Sequence, residues 1–353
     1  MTVLKLGSLF DGIGVFPLAA VHCGMEPVWA SEIEARPISI TKRHFPDMLH
    51  LGDITKISGA EIPPVDVITF GSPCQDLSQI GTRNGFAGKK SSLFYQAMRI
   101  IEEMRYATNG RYPAFCIWEN VAGAFSSNDR LDFAAMLSAF TGAEVSVPPR
   151  GWAHAGMVRG GCADTAWRLL DAQYWGEPAL VQRRKRVFVV ADFAGQRAGE
   201  VLFKPRTVLP FSTISGPGGL SATQRGGVPA AQTGRQVPIV RPFSLRRMRT
   251  MAQVGDQKGF CASFGRGGEP FPTLLASVTA PFSFWYEGEE RDGFLRALTP
   301  LECERLMGLP ENWTKYGCKD EEISDHARYR ALGNSIALPC AEYVMAGIAE
   351  VMN

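Results

Sequence analysis

The sequence predicts an α/β fold in which helices flank a doubly wound, mostly parallel sheet. Short apolar runs alternate with helical patterns over the first half of the chain, an order typical of a parallel sheet. The 353 residues are 45% hydrophobic and 20% charged, which supplies enough apolar mass for a sizeable core. A stretch rich in glycine and proline follows, so we expect a second, smaller, loop-rich domain beside the sheet.

The predicted elements divide the chain into three parts. The first part, 1–193, carries strands at 3–10, 27–32, 65–70 and 113–121, helices at 15–24, 36–44, 92–106 and 129–140, and paired strands at 166–175 and 185–193. The second, 194–298, is basic: residues 195–285 hold 13 glycines, 9 prolines and 11 basic against 3 acidic residues. The third, 299–353, has helical patterns at 299–309 and 335–352 and is expected to pack back onto the sheet.

Composition excludes several other classes of protein. The net charge is +2, and neither a membrane span nor a signal-peptide pattern is visible, so we expect a cytoplasmic protein without membrane contact. The eight cysteines form no CxxC pair and have no histidine cluster near them. Neither a metal site nor a disulfide framework is therefore expected.

A glycine-containing loop, SLFDGIG at 8–14, separates the first predicted strand from the first helix. Gly12 and Gly14 would let the backbone bend tightly and let a ligand approach it. Glu32 lies at the end of the second strand, where a carboxylate can accept hydrogen bonds from a ribose, and Asp53 is placed to reach an adenine amino group. The absence of a third glycine favours a nucleoside without phosphates, such as S-adenosylmethionine. By itself, the pattern is more typical of an ordinary strand-to-helix turn.

A second group of reactive residues follows the third and fourth strands. Cys74 lies in FGSPCQDLSQ, Glu119 and Asn120 end the next strand, and Arg184 and Arg186 alternate in QRRKR. Because the carboxyl ends of parallel strands share one crevice, we expect these side chains to converge. Singly they are typical of a buried turn, a cap and a solvated basic strand. Together they indicate covalent catalysis on a polar heterocycle.

The motifs SLFDGIG, GSPCQDLS, ENV, QRRKR and GNSIALP, in this order, resemble the DNA (cytosine-5)-methyltransferase family over the whole chain. The resemblance implies methyl transfer from S-adenosylmethionine to C5 of a cytosine flipped out of duplex DNA, with 194–298 as target recognition domain. Two alternatives are a tRNA cytosine-5 methyltransferase and a non-catalytic DNA-binding relative. The basic segment favours duplex DNA, and intact Cys74, Glu119 and Arg186 favour an enzyme.

The resemblance also implies roles for individual residues. Cys74 would add to C6 of cytosine, Glu119 would hold N3 and the exocyclic amine, Arg186 would hold the O2 side, and Arg184 would order the site. S-adenosylmethionine would be the cofactor, without a metal. Its shell would comprise Phe10, Gly12, Ile13, Gly14, Glu32, Ile33, Asp53, Ile54, Pro73, Leu93, Asn334 and Ser335.

Contacts with double-stranded DNA are expected from a lid at 80–92 and from the basic segment. The candidates are Ser78, Gln79, Arg83, Lys89, Arg225, Arg235, Arg246, Arg247 and Arg249. An insert at 144–163, with Arg150, Trp152, His154 and Arg159, is predicted either to line the DNA cleft or to cover a sheet edge. We expect a monomeric bacterial or phage modification enzyme, either beside a cognate restriction endonuclease or as an orphan.

Overall fold

The architecture is an eight-stranded mixed sheet with helices on both faces. The structure, a computed structural model, describes residues 3–72, 93–204, 271, 273–274 and 297–353, and the backbone of 239–242, 282–286 and 293–296. The strands are β1 (Lys5–Leu9), β2 (Glu26–Ser31), β3 (Leu49–His50), β4 (Val67–Phe70), β5 (Phe115–Val121), β6 (Ala155–Arg159), β7 (Asp164–Asp171) and β8 (Lys185–Asp192). Their order is β3-β2-β1-β4-β5-β8-β7-β6. Strands β1 to β5 are parallel, and β8, β7 and β6 continue the sheet antiparallel. The predicted α/β class is confirmed.

Eight helices are found in the described part of the chain. They are α1 (Val15–His22), α2 (Ala35–His44), α3 (Leu93–Ala107), α4 (Leu131–Thr141), α5 (Ala198–Leu202), α6 (Pro300–Leu306), α7 (Asp325–Asn334) and α8 (Leu338–Met352). One core contains α1, α5 and α8 with one face of the sheet, and a second contains α3 and α4 with the other. The strand order reverses between β1 and β4, which opens a crevice at the carboxyl ends of these strands.

Local sequence explains where several helices begin. Thr299 and Glu302 form a reciprocal capping box ahead of α6, with Pro300 in its first turn. Helix α4 begins two residues later than predicted, because Asp129 and Arg130 have φ of 50° and 74°, outside the right-handed helical region. In the described part of the chain no single helix is long and apolar enough to cross a membrane, although α7 and α8, bent by 43°, meet that test together.

The C-terminal helix α8 returns to the first part of the chain. It packs against α1 and against α5. A Cβ on Gly347 would lie 2.6 Å from the carbonyl oxygen of Val201, so glycine is required where α8 crosses α5. This packing places the link between α7 and α8 at the end of the sheet where the crevice lies.

Seven elements were not predicted from the sequence, among them the two-residue strand β3. Strand β6 lies within the insert 144–163, and helices α5 and α7 lie in stretches without a clear helical pattern. A three-stranded antiparallel sheet, β9 (Ile239–Pro242), β10 (Phe282–Tyr286) and β11 (Gly293–Ala297), lies in the segment expected to be loop-rich. Strand β6, AGMVR, contains only two large apolar residues and pairs on one side only, so its alternation gives a weak signal.

Candidate active site

The loop after β1 is held in left-handed backbone conformations. Phe10, Gly12 and Gly14 have φ of 54°, 59° and 77°. A Cβ at Gly14 would lie 3.0 Å from the Thr41 side chain and 3.1 Å from the Phe45 ring, so glycine is needed for space as well as for conformation. We name the surroundings of this loop, residues 10–14, 32–34 and 53–54, the glycine-loop side.

Glu32 joins this loop to the turn after β2. Its Oε2 accepts the Gly12 N–H at 2.9 Å, and its Oε1 accepts the N–H groups of Ile33 at 2.7 Å and Glu34 at 2.9 Å. A carboxylate oxygen can accept about two hydrogen bonds, so Oε2 retains capacity for a ligand hydroxyl. Ile33, beside it, is 73% exposed and offers an apolar surface at the crevice.

Asp53 follows β3 at the same edge of the sheet. Its carboxylate accepts the backbone N–H and the hydroxyl of Thr55, both at 2.9 Å. These hydrogen bonds hold the pKa of Asp53 below its ordinary value, so the group is charged at neutral pH. Ile54, the next residue, is buried. The predicted Glu32 and Asp53 thus both lie on the glycine-loop side.

The loop is also held from the C-terminal part of the chain. The Trp313 indole N–H donates to the carbonyl of Ile13 at 2.8 Å, and the Thr41 hydroxyl donates to the carbonyl of Gly12 at 3.2 Å. The His44 ring stacks on Trp313 at 3.6 Å between centroids, and its Nε2 donates to the Trp313 carbonyl at 2.8 Å. Sequence reasoning missed Trp313, which lies in LPENWT without any local signal of this contact.

Helix α7, which carries predicted residues at its end, is joined to the glycine-loop side by an ion pair. Asn334 is the last residue of α7 and is exposed, and Ser335 begins the link to α8. Arg330, one turn earlier, forms an ion pair of 2.7 Å with Glu34. Leu93, at the start of α3, is half-buried. The other predicted residues lie outside the described residues: Pro73, Cys74, Ser78, Gln79, Arg83, Lys89, Arg225, Arg235, Arg246, Arg247 and Arg249.

Glu119 and Arg186 meet at the end of β5 and the start of β8. Arg186 Nε lies 2.9 Å from Glu119 Oε1, and their side chains are only 14% and 12% exposed. Burial raises the pKa of Glu119, although the charges of Arg186 and Arg184 oppose this shift. A Cβ on Gly71 would lie 3.1 Å from Glu119 Oε2, so a larger residue there would crowd the carboxyl. We name this region, residues 71–72, 118–120 and 184–186, the ion-pair side.

The residues around Glu119 anchor the chain just before the cysteine motif. Asn120 Nδ2 donates to the carbonyl of Ser72 at 2.9 Å, and its Oδ1 accepts the Val121 N–H at 2.8 Å. The Trp118 indole donates to Ser72 Oγ at 3.1 Å. Ser72 is the last described residue before Pro73 and Cys74. Three hydrogen bonds therefore fix the end of β5 and the point from which the cysteine motif leaves β4.

Arg184 has a different environment from Arg186. It is 1% exposed, and its guanidinium donates to the carbonyls of Leu274 at 2.9 Å and Gly333 at 2.8 Å, and also to that of Ser335. Burial lowers the pKa of Arg184 to about 9, with the Arg186 charge adding to the effect. Arg184 thus joins the start of β8 to residue 274 and to the link between α7 and α8.

The two sides lie at the same end of the sheet: the glycine-loop side follows β1, β2 and β3, and the ion-pair side follows β4 and β5 and includes the start of β8. One side offers a glycine loop, two carboxylates and an apolar surface, and the other a buried carboxyl paired with an arginine. The buried carboxyl on the ion-pair side can exchange a proton with a polar ring bound beside it. No group of three or more His, Cys, Asp or Glu side chains that could hold a metal occurs within the described ranges.

The comparisons with known proteins all lead to methyltransferases. A model of the family described as C-5 cytosine-specific DNA methylase matches residues 4–205 and 245–350. The chain is 24% identical, over 98% of its length, to a protein of Escherichia phage P1 named DNA N-6-adenine-methyltransferase, and it spans 61% of that protein. It is 23% identical over 100% of its length to Type II methyltransferase M.HhaI of Haemophilus parahaemolyticus, of which it spans 96%. The S. pombe Dnmt2 methyltransferase crystal structure shares the fold, with a TM-score of 0.61 and 16% identity over 100% of both chains.

Proposed function

Because the chain belongs to the C-5 cytosine-specific DNA methylase family, we propose that it methylates C5 of a cytosine in DNA with S-adenosylmethionine as methyl donor. The observation that carries this proposal is the contact between Glu119 and Arg186. A buried carboxyl with a raised pKa, facing an arginine at the carboxyl end of a parallel strand, suits the edge of a cytosine ring.

The glycine-loop side fits S-adenosylmethionine. Glu32 Oε2 retains capacity for a ribose hydroxyl, Asp53 is charged and can accept from an adenine amino group, and Ile33 exposes an apolar surface. Among the described residues, Arg330 lies beside the loop, and its charge is paired with Glu34. When bound, the cofactor supplies an electrophilic methyl group. Phe10, Gly12, Ile13, Gly14, Ile54, Pro73, Leu93, Asn334 and Ser335 complete the proposed shell.

The ion-pair side would activate the base. The Cys74 thiolate adds to C6, which moves electron density to C5, while a proton on the Glu119 carboxyl stabilises the charge that develops at N3. Arg186 holds both Glu119 and the O2 side of the ring. After C5 has taken the methyl group, loss of the C5 proton expels the Cys74 sulfur and restores the ring. Arg184 acts through the backbone carbonyls that it binds, as a positioning residue.

Membership of the family also supports base flipping, a recognition domain and a role in DNA modification. The target base would leave the duplex, because Cys74 could not reach C6 within stacked base pairs. Residues 194–298 would form the recognition domain, and the predicted contacts from Ser78 to Arg249 would bind the strand. We place the monomeric enzyme in DNA modification, beside a restriction endonuclease or as an orphan, because relatives such as M.HhaI are named type II methyltransferases.

The two alternatives are not favoured. The matching family model is one of DNA methylases, and it covers 4–205 and 245–350, including parts of the proposed recognition domain. A tRNA methyltransferase or a non-catalytic relative would therefore depart from the family in substrate or in activity. Equal methylation of tRNA and duplex DNA would reverse this preference.

Sequencing of DNA from cells that express the protein tests the proposal. We expect 5-methylcytosine in one sequence context with the wild-type protein and unmodified cytosine with Cys74→Ser. Binding of duplex DNA and S-adenosylmethionine by purified Cys74→Ser serves as control for folding. Methylated adenine instead of cytosine, or persisting C5 methylation with Cys74→Ser, would contradict the proposal.

A further inference from the structure

A cleft of ≈ 570 Å³ lies beyond the ion-pair side, on the same edge of the sheet. Its walls are the end of β7, the turn at 172–175, the residues that lead into β8, and His154 ahead of β6. Strand β8 separates this cleft from β5 and Glu119, and the glycine-loop side lies at the other end of the edge. None of its lining residues belongs to the proposed catalytic set.

The cleft carries two exposed cations that lack a carboxylate partner. Arg183 and Lys185 are exposed and flank the buried Arg184. Within the part of the chain that the structure describes, neither forms an ion pair. Of the lining residues that the structure describes, the one carboxylate is that of Asp171, which is buried and already accepts from Gln173 Nε2 at 2.8 Å and from the Arg184 N–H at 3.1 Å. The positive charge is therefore available to a ligand.

The other arginine that lines the cleft, Arg168, is already engaged by protein groups. Arg168 donates to the Leu202 carbonyl at 2.8 Å and to the Tyr343 hydroxyl at 2.9 Å, and its guanidinium lies over the Trp175 ring. These contacts give Arg168 a structural role at the base of the cleft. Among the described lining residues, the free positive charge is thus confined to Arg183 and Lys185.

The position of Lys185 relates the cleft to the base site. Lys185 is adjacent in the chain to Arg186, whose guanidinium contacts Glu119. Residues two apart on an extended chain are about 6.6 Å apart, so Arg183 and Lys185 can reach different phosphates of one strand. A row of cations beside the base site suits the backbone of the strand that supplies the base.

We propose that this cleft binds phosphates of the DNA strand that carries the target cytosine, on the side of that nucleotide away from the cofactor. The inference rests on the proposed function and extends it to residues absent from the predicted DNA contacts. Arg183 and Lys185 position the strand without reading its sequence, because phosphates are the same in every sequence.

The cleft also explains the insert at 144–163, for which two roles were predicted. Arg159 pairs with Asp164 at 3.2 Å, and Trp152 packs edge-on against Phe133 and Trp167, so these residues cover the sheet edge. His154 instead lines the cleft. The insert thus serves both roles, with different residues.

The salt dependence of DNA binding tests the proposal. Affinities of the full-length enzyme for a duplex containing its methylated site are measured by fluorescence anisotropy over a range of NaCl concentrations. Variants are Arg183→Ala, Lys185→Ala and Lys185→Arg. The matched control is Arg111→Ala, an arginine near the start of β5 at the opposite end of the sheet, whose guanidinium lies over the Tyr112 ring.

Each alanine variant should reduce the slope of log Kd against log salt by about 0.9, the value for one lost phosphate contact. Lys185→Arg and Arg111→Ala should keep the wild-type slope. An unchanged slope in both alanine variants, or an equal loss in Arg111→Ala, would overturn the proposal. An acidic protein would then be the candidate ligand of the cleft. A wild-type enzyme that leaves cytosine unmethylated would instead show that the proposed function has failed.

Discussion

The glycine-loop side and the ion-pair side lie on one edge of one sheet but are stabilised differently. On the glycine-loop side, main-chain groups carry most of the contacts: Glu32 accepts three backbone N–H groups, and Trp313 donates to a backbone carbonyl. On the ion-pair side, buried charged side chains face one another, as Glu119 faces Arg186.

This difference follows from what each side must do. A nucleoside cofactor is held by shape and hydrogen bonds, so a fixed backbone suits it. A base that gains and loses protons needs groups with altered pKa values, and these require burial. Substitutions on the glycine-loop side should therefore change cofactor affinity, whereas those on the ion-pair side should change the rate of methyl transfer.

Among substitutions of the described residues, Glu119→Gln should have the largest effect on catalysis. Gln keeps the shape of the side chain but cannot exchange a proton, so kcat should fall by ~10²- to 10⁴-fold while the KM for S-adenosylmethionine changes less than twofold. The wild-type rate should fall as pH rises through the raised pKa of Glu119, and this limb should be missing in the variant. Steady-state kinetics over a range of pH would show it. A rise in KM with unchanged kcat would show that Glu119 acts in cofactor binding and not in methyl transfer, which would contradict the account.

Arg184→Ala should have the largest effect on stability. It leaves the buried carbonyls of Leu274 and Gly333 without their donor, so the free energy of unfolding should fall by at least ~3 kcal/mol. Arg183→Ala, an exposed neighbour, should change it by less than ~0.5 kcal/mol. Urea denaturation of both variants provides the comparison. Equal stability of the two would contradict the structural role of Arg184.

Asp11 gives the glycine-loop side a pH-dependent stability. Its carboxyl oxygens are buried, and desolvation raises its pKa to about 7. The folded state therefore binds the proton more tightly than the unfolded state, and the free energy of unfolding should decrease between about pH 4 and 7, by up to ~1.4 kcal/mol per pH unit.

Asp11→Asn should abolish this decrease, as denaturation at several pH values would reveal. Asp53→Asn is the control with the opposite sign. The pKa of Asp53 is lowered, so the stabilisation that it gives is lost as pH falls through the lowered pKa. A wild-type protein whose stability rises from pH 4 to 7 in step with Asp11→Asn would contradict the burial of a neutral Asp11.

Two tryptophan substitutions have the smallest expected effects and give the most specific test. Trp313→Phe removes the N–H that donates to Ile13, so the KM for S-adenosylmethionine should rise up to ~10-fold with little change in kcat. Trp118→Phe removes the N–H that donates to Ser72 and should lower kcat with little change in that KM. Effects of the two variants on the same kinetic constant would show that the two sides are not separable.

The sequence predicted most of the sheet because strands β1, β2, β4 and β5 are short apolar runs followed by turn residues. Glu119 and Arg186 could be paired from sequence because their motifs lie at strand ends that share a crevice. The hydrogen bond from Trp313 to Ile13 joins residues 300 positions apart, and no local pattern encodes such a contact. The acceptors of Arg184 were equally hidden, because QRRKR looks the same whether an arginine is exposed or buried. The cleft at Arg183 and Lys185 could not be predicted from the sequence, because its position depends on the strand order, in which β7 and β6 lie beyond β8.

We propose that Cys74, which follows Ser72 of the ion-pair side by two positions in the chain, forms a transient bond to the target cytosine. Intact-mass spectrometry tests it with a duplex whose target cytosine carries fluorine at C5, because fluorine cannot leave as a proton and the sulfur then cannot be expelled. With S-adenosylmethionine present, the wild-type enzyme should form a stable one-to-one covalent complex through Cys74, and Cys74→Ser should form none. A wild-type enzyme that methylates ordinary cytosine but forms no complex with the fluorinated duplex would contradict the mechanism.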